Sequence, residues 1–155
     1  MPLLRAALSW NFVLATAICA SLLAQLIKVL LNLFIFHRFI AERMWGAGGM
    51  PSSHSATVCA MVVATGRYCG VNSPLFAIAA VLSIIVMYDA MGVRYETGEQ
   101  AKVLNRMFTE WMDQGFEQFQ LPHGKKLKEM VGHTPNEVVT GAALGIVLGF
   151  AMPMV

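Results

Sequence analysis

The chain has 155 residues, 57% of them hydrophobic and 13% charged, with a formal net charge of +2. Soluble domains carry about 25% charged residues, so this composition points to lipid as the solvent. The length fits one membrane-embedded domain over 1–155, and so small a charge gives no basis for a nucleic-acid partner.

About 20 apolar residues cross a bilayer, and four segments approach that length. The first, Ala7 to Phe36, is interrupted by Lys28 and Asn32. It outruns the apolar region of a signal peptide and precedes no small-residue cleavage site, so it reads as a retained span. The second, Ser55 to Cys69, opens on Gly48-Gly49-Met50-Pro51-Ser52-Ser53-His54-Ser55, where Ser52 or Ser53 can cap the helix. Gly70-Val71-Asn72-Ser73-Pro74 supplies a turn. The third span, Leu75 to Val93, is apolar until Asp89, and Arg94 follows it.

Residues 94–132 are polar. Within them Val103, Leu104, Met107, Phe108, Trp111, Met112, Phe116 and Phe119 recur at helix spacing. That stripe fits a helix packed on the bundle or one lying among the headgroups. The last span, Pro135 to Val155, carries Gly141, Gly145 and Gly149, a repeat that lets another helix, or a second copy of the chain in a homo-oligomer, approach closely. The expected fold is all-α: a polytopic membrane helix bundle with about four spans and an amphipathic interfacial helix. Cys19, Cys59 and Cys69 lie in apolar runs and read as small buried hydrophobes.

Alternate crossings bring Lys28, the His54 turn, Asp89, Arg94 and His133 to one membrane face. The same count puts nine of the eleven Lys and Arg residues there, and only Arg5 and Arg67 on the other. The cation excess predicts that this face is cytoplasmic, or its organellar equivalent.

The chemistry gathers on that face. Thr134-Pro135-Asn136-Glu137 reads as a capping box, with Thr134 at N-cap, Pro135 at N1 and Glu137 at N3. His133 precedes it, and the Glu137 carboxylate four positions on can reach the imidazole and fix its tautomer. Capping and orienting compete for that carboxylate. His54 stands at a second helix start as a candidate general acid, and unpaired N–H groups at both starts suit an anion. Lys28, costly inside an apolar run, and Arg94, with its planar fork, are candidate phosphate ligands beside Ser52 and Ser53. Asp89 can pair with Arg94 or Lys28. Arg43, Arg38, Lys126 and Lys128 are supporting cations. A metal-dependent alternative would draw on His54, Asp89, Glu96, Glu99 and His133.

Three blocks carry a resemblance: residues 48–55, then Tyr88-Asp89-Ala90-Met91-Gly92-Val93-Arg94, then Gly132 to Val138. They resemble the type 2 phosphatidic acid phosphatase superfamily, which includes vanadium-dependent haloperoxidases. The whole chain is most similar to its divergent branch of small membrane proteins, described as acid phosphatase/vanadium-dependent haloperoxidase-related. Pro51-Ser52-Ser53-His54 matches the superfamily's Pro-Ser-Gly-His block except at Ser53. His133 and Glu137 match the end of its Arg-x5-His-x3-Asp block, with Glu for Asp and with Leu127 at the arginine position. Lys28 matches the start of its Lys-x6-Arg-Pro block, with Ile35 at the arginine position. The resemblance implies hydrolysis of a lipid phosphate or diphosphate through a phosphohistidine on His133. Glu137 would orient that histidine, His54 would serve as acid, and Lys28, Arg94, Ser52 and Ser53 would hold the oxyanions, with no metal or other cofactor. The missing arginines leave room for a non-catalytic protein that binds or transports phosphorylated headgroups.

Overall fold

The computed structural model describes residues 11–36, 49–114, 126–129 and 131–154. Its described residues form five α-helices and no strand: α1 Phe12–Phe36, α2 Ser53–Cys69, α3 Pro74–Met91, α4 Val93–Asp113 and α5 Pro135–Ala151. Two helical stretches, Phe12–Phe34 and Pro74–Asp113, are long and apolar enough to cross a membrane, and α5 is a shorter apolar helix.

Local chemistry sets the boundaries. Ser52 caps α2, accepting from the Ser55 N–H, so the helix starts two residues before the expected Ser55 and takes His54 into its first turn. Ser73 caps α3 through the Phe76 N–H, and Pro74 sits in the first turn, where its missing donor costs nothing. Gly92 ends α3, and α4 begins at once on Val93, so Arg94, Glu96 and Glu99 are helical rather than part of a loop.

α1 and α2 run antiparallel, as do α2 and α3, and α5 runs parallel to α2, so these four alternate in direction along the chain. α2 lies at the centre, packed chiefly on α5 and α1 and then on α3. Its interior is made of small residues: Ala20, Ala24, Ala56 and Ala60 are fully buried, with Leu144 and Leu148 against them. The large side chains point outward, among them Leu22, Leu26, Ile78, Ile84 and Ile85. Water would drive those side chains inward, whereas in lipid the gain comes from close backbone approach.

The glycine repeat of α5 does this within the chain. A Cβ on Gly141 would strike the Ser52 carbonyl oxygen, one on Gly145 the Ala56 carbonyl oxygen, and one on Gly149 the Val63 side chain. The expectation of a close partner is met by α2; a second copy of the chain would have to use another face.

At the end away from His54, Arg67 Nη1 donates to the carbonyls of Gly149, Phe150 and Met152 at 2.6, 3.1 and 2.8 Å. The guanidinium also lies 5.6 Å from the Phe12 ring centroid. This one cation serves two of the orphan carbonyls that end α5 and the carbonyl of its cap residue Met152. Arg67→Met is expected to lower stability by about 1–3 kcal/mol, read as a lower thermal midpoint in detergent.

The amphipathic stripe of α4 is only partly covered, with Phe108 and Trp111 half-buried. Val103, Leu104, Met107 and Met112 are exposed, and the buried face is the small-residue row Gly98, Ala101 and Asn105. Phe116 and Phe119 lie outside the described residues. All three cysteines are free: Cys59 is buried, Cys19 half-buried and Cys69 exposed, so the expectation of burial fails for Cys69, the last residue of α2.

Candidate active site

Three chain segments converge at one end of the bundle. The turn before α2 docks on the first turn of α5 through Ser52 N–H to the Glu137 carbonyl, 2.9 Å. The residue before the α5 cap docks on the end of α3 through His133 N–H to the Ala90 carbonyl, 2.9 Å. Gly132 makes that approach feasible: its φ is +93°, and any Cβ there would meet the Arg94–Tyr95 backbone.

This packing sets the His54 and His133 rings edge to face, with centroids 5.8 Å apart. His133 is 2% exposed, whereas His54 is open to the surface. The Glu137 Oε2 atom lies 3.0 Å from His133 Nδ1 and also accepts from the Thr134 N–H at 3.1 Å. The anticipated competition therefore does not arise, because one carboxylate oxygen caps the helix and holds the imidazole together. An oxygen that accepts from Thr134 is a carboxylate acceptor, so His133 carries its proton on Nδ1. In the neutral ring Nε2 is then a lone pair, and that buried atom has no partner among the described residues.

Lys28, 1% exposed, extends from α1 toward the same place: its Cδ would stand 3.4 Å from a Cβ on Gly49, whose φ is +87°. The ammonium acts electrostatically on Glu137, and Lys28, Arg94, Asp89 and His133 all act on His54. Arg94 donates from Nε to Asp89 Oδ2 at 2.5 Å, and both side chains are about half exposed. The Asp89–Arg94 pairing expected from the sequence is present, and it leaves the two terminal guanidinium nitrogens clear of Asp89. Ser52 is buried, with its hydroxyl accepting from Ser55 Oγ at 3.1 Å. Ser53 accepts from Gln25 Nε2 at 3.4 Å.

The supporting cations are less centred. Lys126 and Lys128 are exposed on a short segment strapped to α4. Asn105 holds that strap, donating to the Leu127 carbonyl and the Glu129 carboxylate and accepting from the Leu127 N–H. Arg43 and Arg38 lie outside the described residues. Among the described residues no three His, Cys, Asp or Glu side chains gather to hold a metal, so the five residues of the metal-dependent alternative do not form a ligand set. An apolar cavity of about 530 Å³ between α1, α2 and α3, lined by Asn11, Tyr68 and Leu75 among others, opens at the opposite end from the histidines.

Residues 9–148 match the family described as Divergent PAP2 family. The chain belongs to that family. A relative within reach of pairwise comparison is the Bacillus subtilis (strain 168) protein named "Uncharacterized membrane protein YuiD", 38% identical over 144 residues, covering 89% of this chain and 91% of that one. No solved structure matches. Family membership agrees with the resemblance carried by the His54, Asp89–Arg94 and His133 blocks, and the relative's name agrees with a membrane protein. The family member described here adds Gln25, Asn105 and Gly132 to the residues that shape this end of the bundle.

Asn105 and Gln25 were not singled out in the sequence. Each had a signal: Asn105 continues the small row Gly98–Ala101, and Gln25 is a polar residue three positions before Lys28 in an apolar run. Asn105→Leu is expected to release the 126–129 strap, seen as faster amide exchange at Leu127, with little change at His133.

Proposed function

We propose that this chain is an integral membrane phosphatase that hydrolyses a lipid phosphate or diphosphate through a phosphohistidine intermediate. The observation that carries the reading is the pair of imidazoles: one buried, oriented by Glu137 and unpartnered at Nε2 among the described residues, the other exposed beside it. In this scheme His133 Nε2 attacks phosphorus, and the bond from phosphorus to the leaving oxygen breaks. His54 gives that oxygen its proton, then takes one from the water that hydrolyses the phosphohistidine. Lys28, Arg94 and the N–H groups at the starts of α2 and α5 hold the oxyanions, with Ser52 and Ser53 shaping the turn. All of these groups come from the protein, and the scheme uses no cofactor.

The chemistry assumes a setting. α1, α2, α3 and α5 cross the membrane, α4 lies along the interface with its exposed apolar stripe toward the acyl chains, and the histidine face is cytoplasmic or its organellar equivalent. The alternating helix directions and the exposed leucines and isoleucines support this reading.

A second reading, a non-catalytic protein that binds or transports phosphorylated headgroups, is favoured by one observation. The superfamily arginine positions hold Leu127 and Ile35, and Arg94 is already paired with Asp89. Purified protein in detergent should release phosphate from at least one of phosphatidate, a polyprenyl phosphate or diphosphate, and phosphatidylglycerol phosphate. Saturable binding with no release from any of them would favour the second reading.

A further inference from the structure

Beyond the small hydroxyls of Thr16 and Ser21, the polar residues of α1 are Gln25, Lys28 and Asn32, which share one face by their spacing of three and four. Lys28 serves the site described above. Gln25 lies one helical turn deeper, about 4.5 Å along the axis, against Ser53, the residue before His54.

The Gln25 amide is poorly served. Its Nε2 makes one long bond to Ser53 Oγ at 3.4 Å, and its Oε1 is buried with no partner among the described residues. Turning the amide over exchanges the two atoms and leaves one unmet all the same. An unmet polar atom in an apolar span is costly. A residue whose work was only to pack α1 on α2 would be served better by leucine.

Resting on the proposed reading, we infer that Gln25 determines specificity, accepting a hydrogen bond from a hydroxyl that the lipid carries next to its phosphate. The depth fits. With phosphorus between His133 Nε2 and His54, the part of a lipid one turn farther into the membrane is the short linker between phosphate and tails. A hydroxyl on that linker supplies the donor that Oε1 lacks.

The test uses two short-chain lipid phosphates, a 1-O-alkylglycerol 3-phosphate and its 2-deoxy counterpart. Binding and phosphate release are measured for each on the purified full chain in detergent. The parent protein should bind the hydroxylated lipid about tenfold more tightly, the scale of one neutral hydrogen bond. Gln25→Leu should bind both lipids alike while keeping its thermal midpoint. Equal affinity in the parent, or a preference that survives in Gln25→Leu, overturns the inference, and the parent comparison reads this even if the variant folds badly. Preference without release would overturn the phosphatase reading and leave Gln25 its role. Release without preference does the reverse, and failure to bind either lipid overturns both.

Discussion

Replacing His133 by asparagine is expected to cut phosphate release by at least about 10²-fold while the protein keeps its thermal midpoint. The imidazole offers a nitrogen lone pair that is oriented by Glu137 and unpartnered among the described residues. Asparagine retains a donor for Glu137, so the α5 cap and its docking on α2 survive, and the nucleophile is what goes. His54→Asn should cost a comparable factor on substrates whose leaving alcohol needs a proton, and less on an activated aryl phosphate. Glu137→Gln should fall between parent and His133→Asn, because the amide keeps the cap but loses the charge that stabilises an imidazolium. Release from His133→Asn at the parent rate would reject the mechanism.

The second large effect falls on the scaffold. Gly141→Val is expected to destabilise the protein by about 2 kcal/mol or more, with loss of folded material in detergent. The added Cβ meets the Ser52 carbonyl oxygen, and the Ser52 amide nitrogen and carbonyl carbon at 3.0 and 3.1 Å. These are backbone atoms with no flexible side chain to swing aside. Relief can come only by moving α5 off the turn that carries His54, so any variant that folds should also lose activity. Ala143→Val is the control: Ala143 lies two residues on and faces outward, and its change should stay within about 0.5 kcal/mol. Equal midpoints for the two variants would show that the glycine row does not set the α2–α5 contact.

How much of this was legible from residues alone depends on the range of the interaction. The capping box at Thr134–Glu137 and the cap before His54 are written within four residues, and the structure carries both. The convergence of His54 and His133 on one end followed from counting apolar runs, since each crossing reverses the chain. The Glu137 bond was legible as an i,i+4 spacing, but its double duty was not: the angle at which His133 enters the helix is fixed by Gly132 against Tyr95. Spacing left two places open for the α4 stripe, against the bundle or among the headgroups. Hydrophobic periodicity finds an apolar stripe but not what faces it, and here the small-residue face of α4 takes the Asn105 strap. With lipid as a solvent, an apolar stripe no longer signals a protein core.

The most direct measurement is a rapid acid-free quench of the purified protein during turnover of a lipid phosphate, followed by mass spectrometry of its peptides. The account predicts a phosphoryl group on His133 that appears before phosphate reaches solution, persists longer in His54→Asn, and is absent from His133→Asn. Steady release of phosphate with no label on His133, or with the label on another residue, would contradict it.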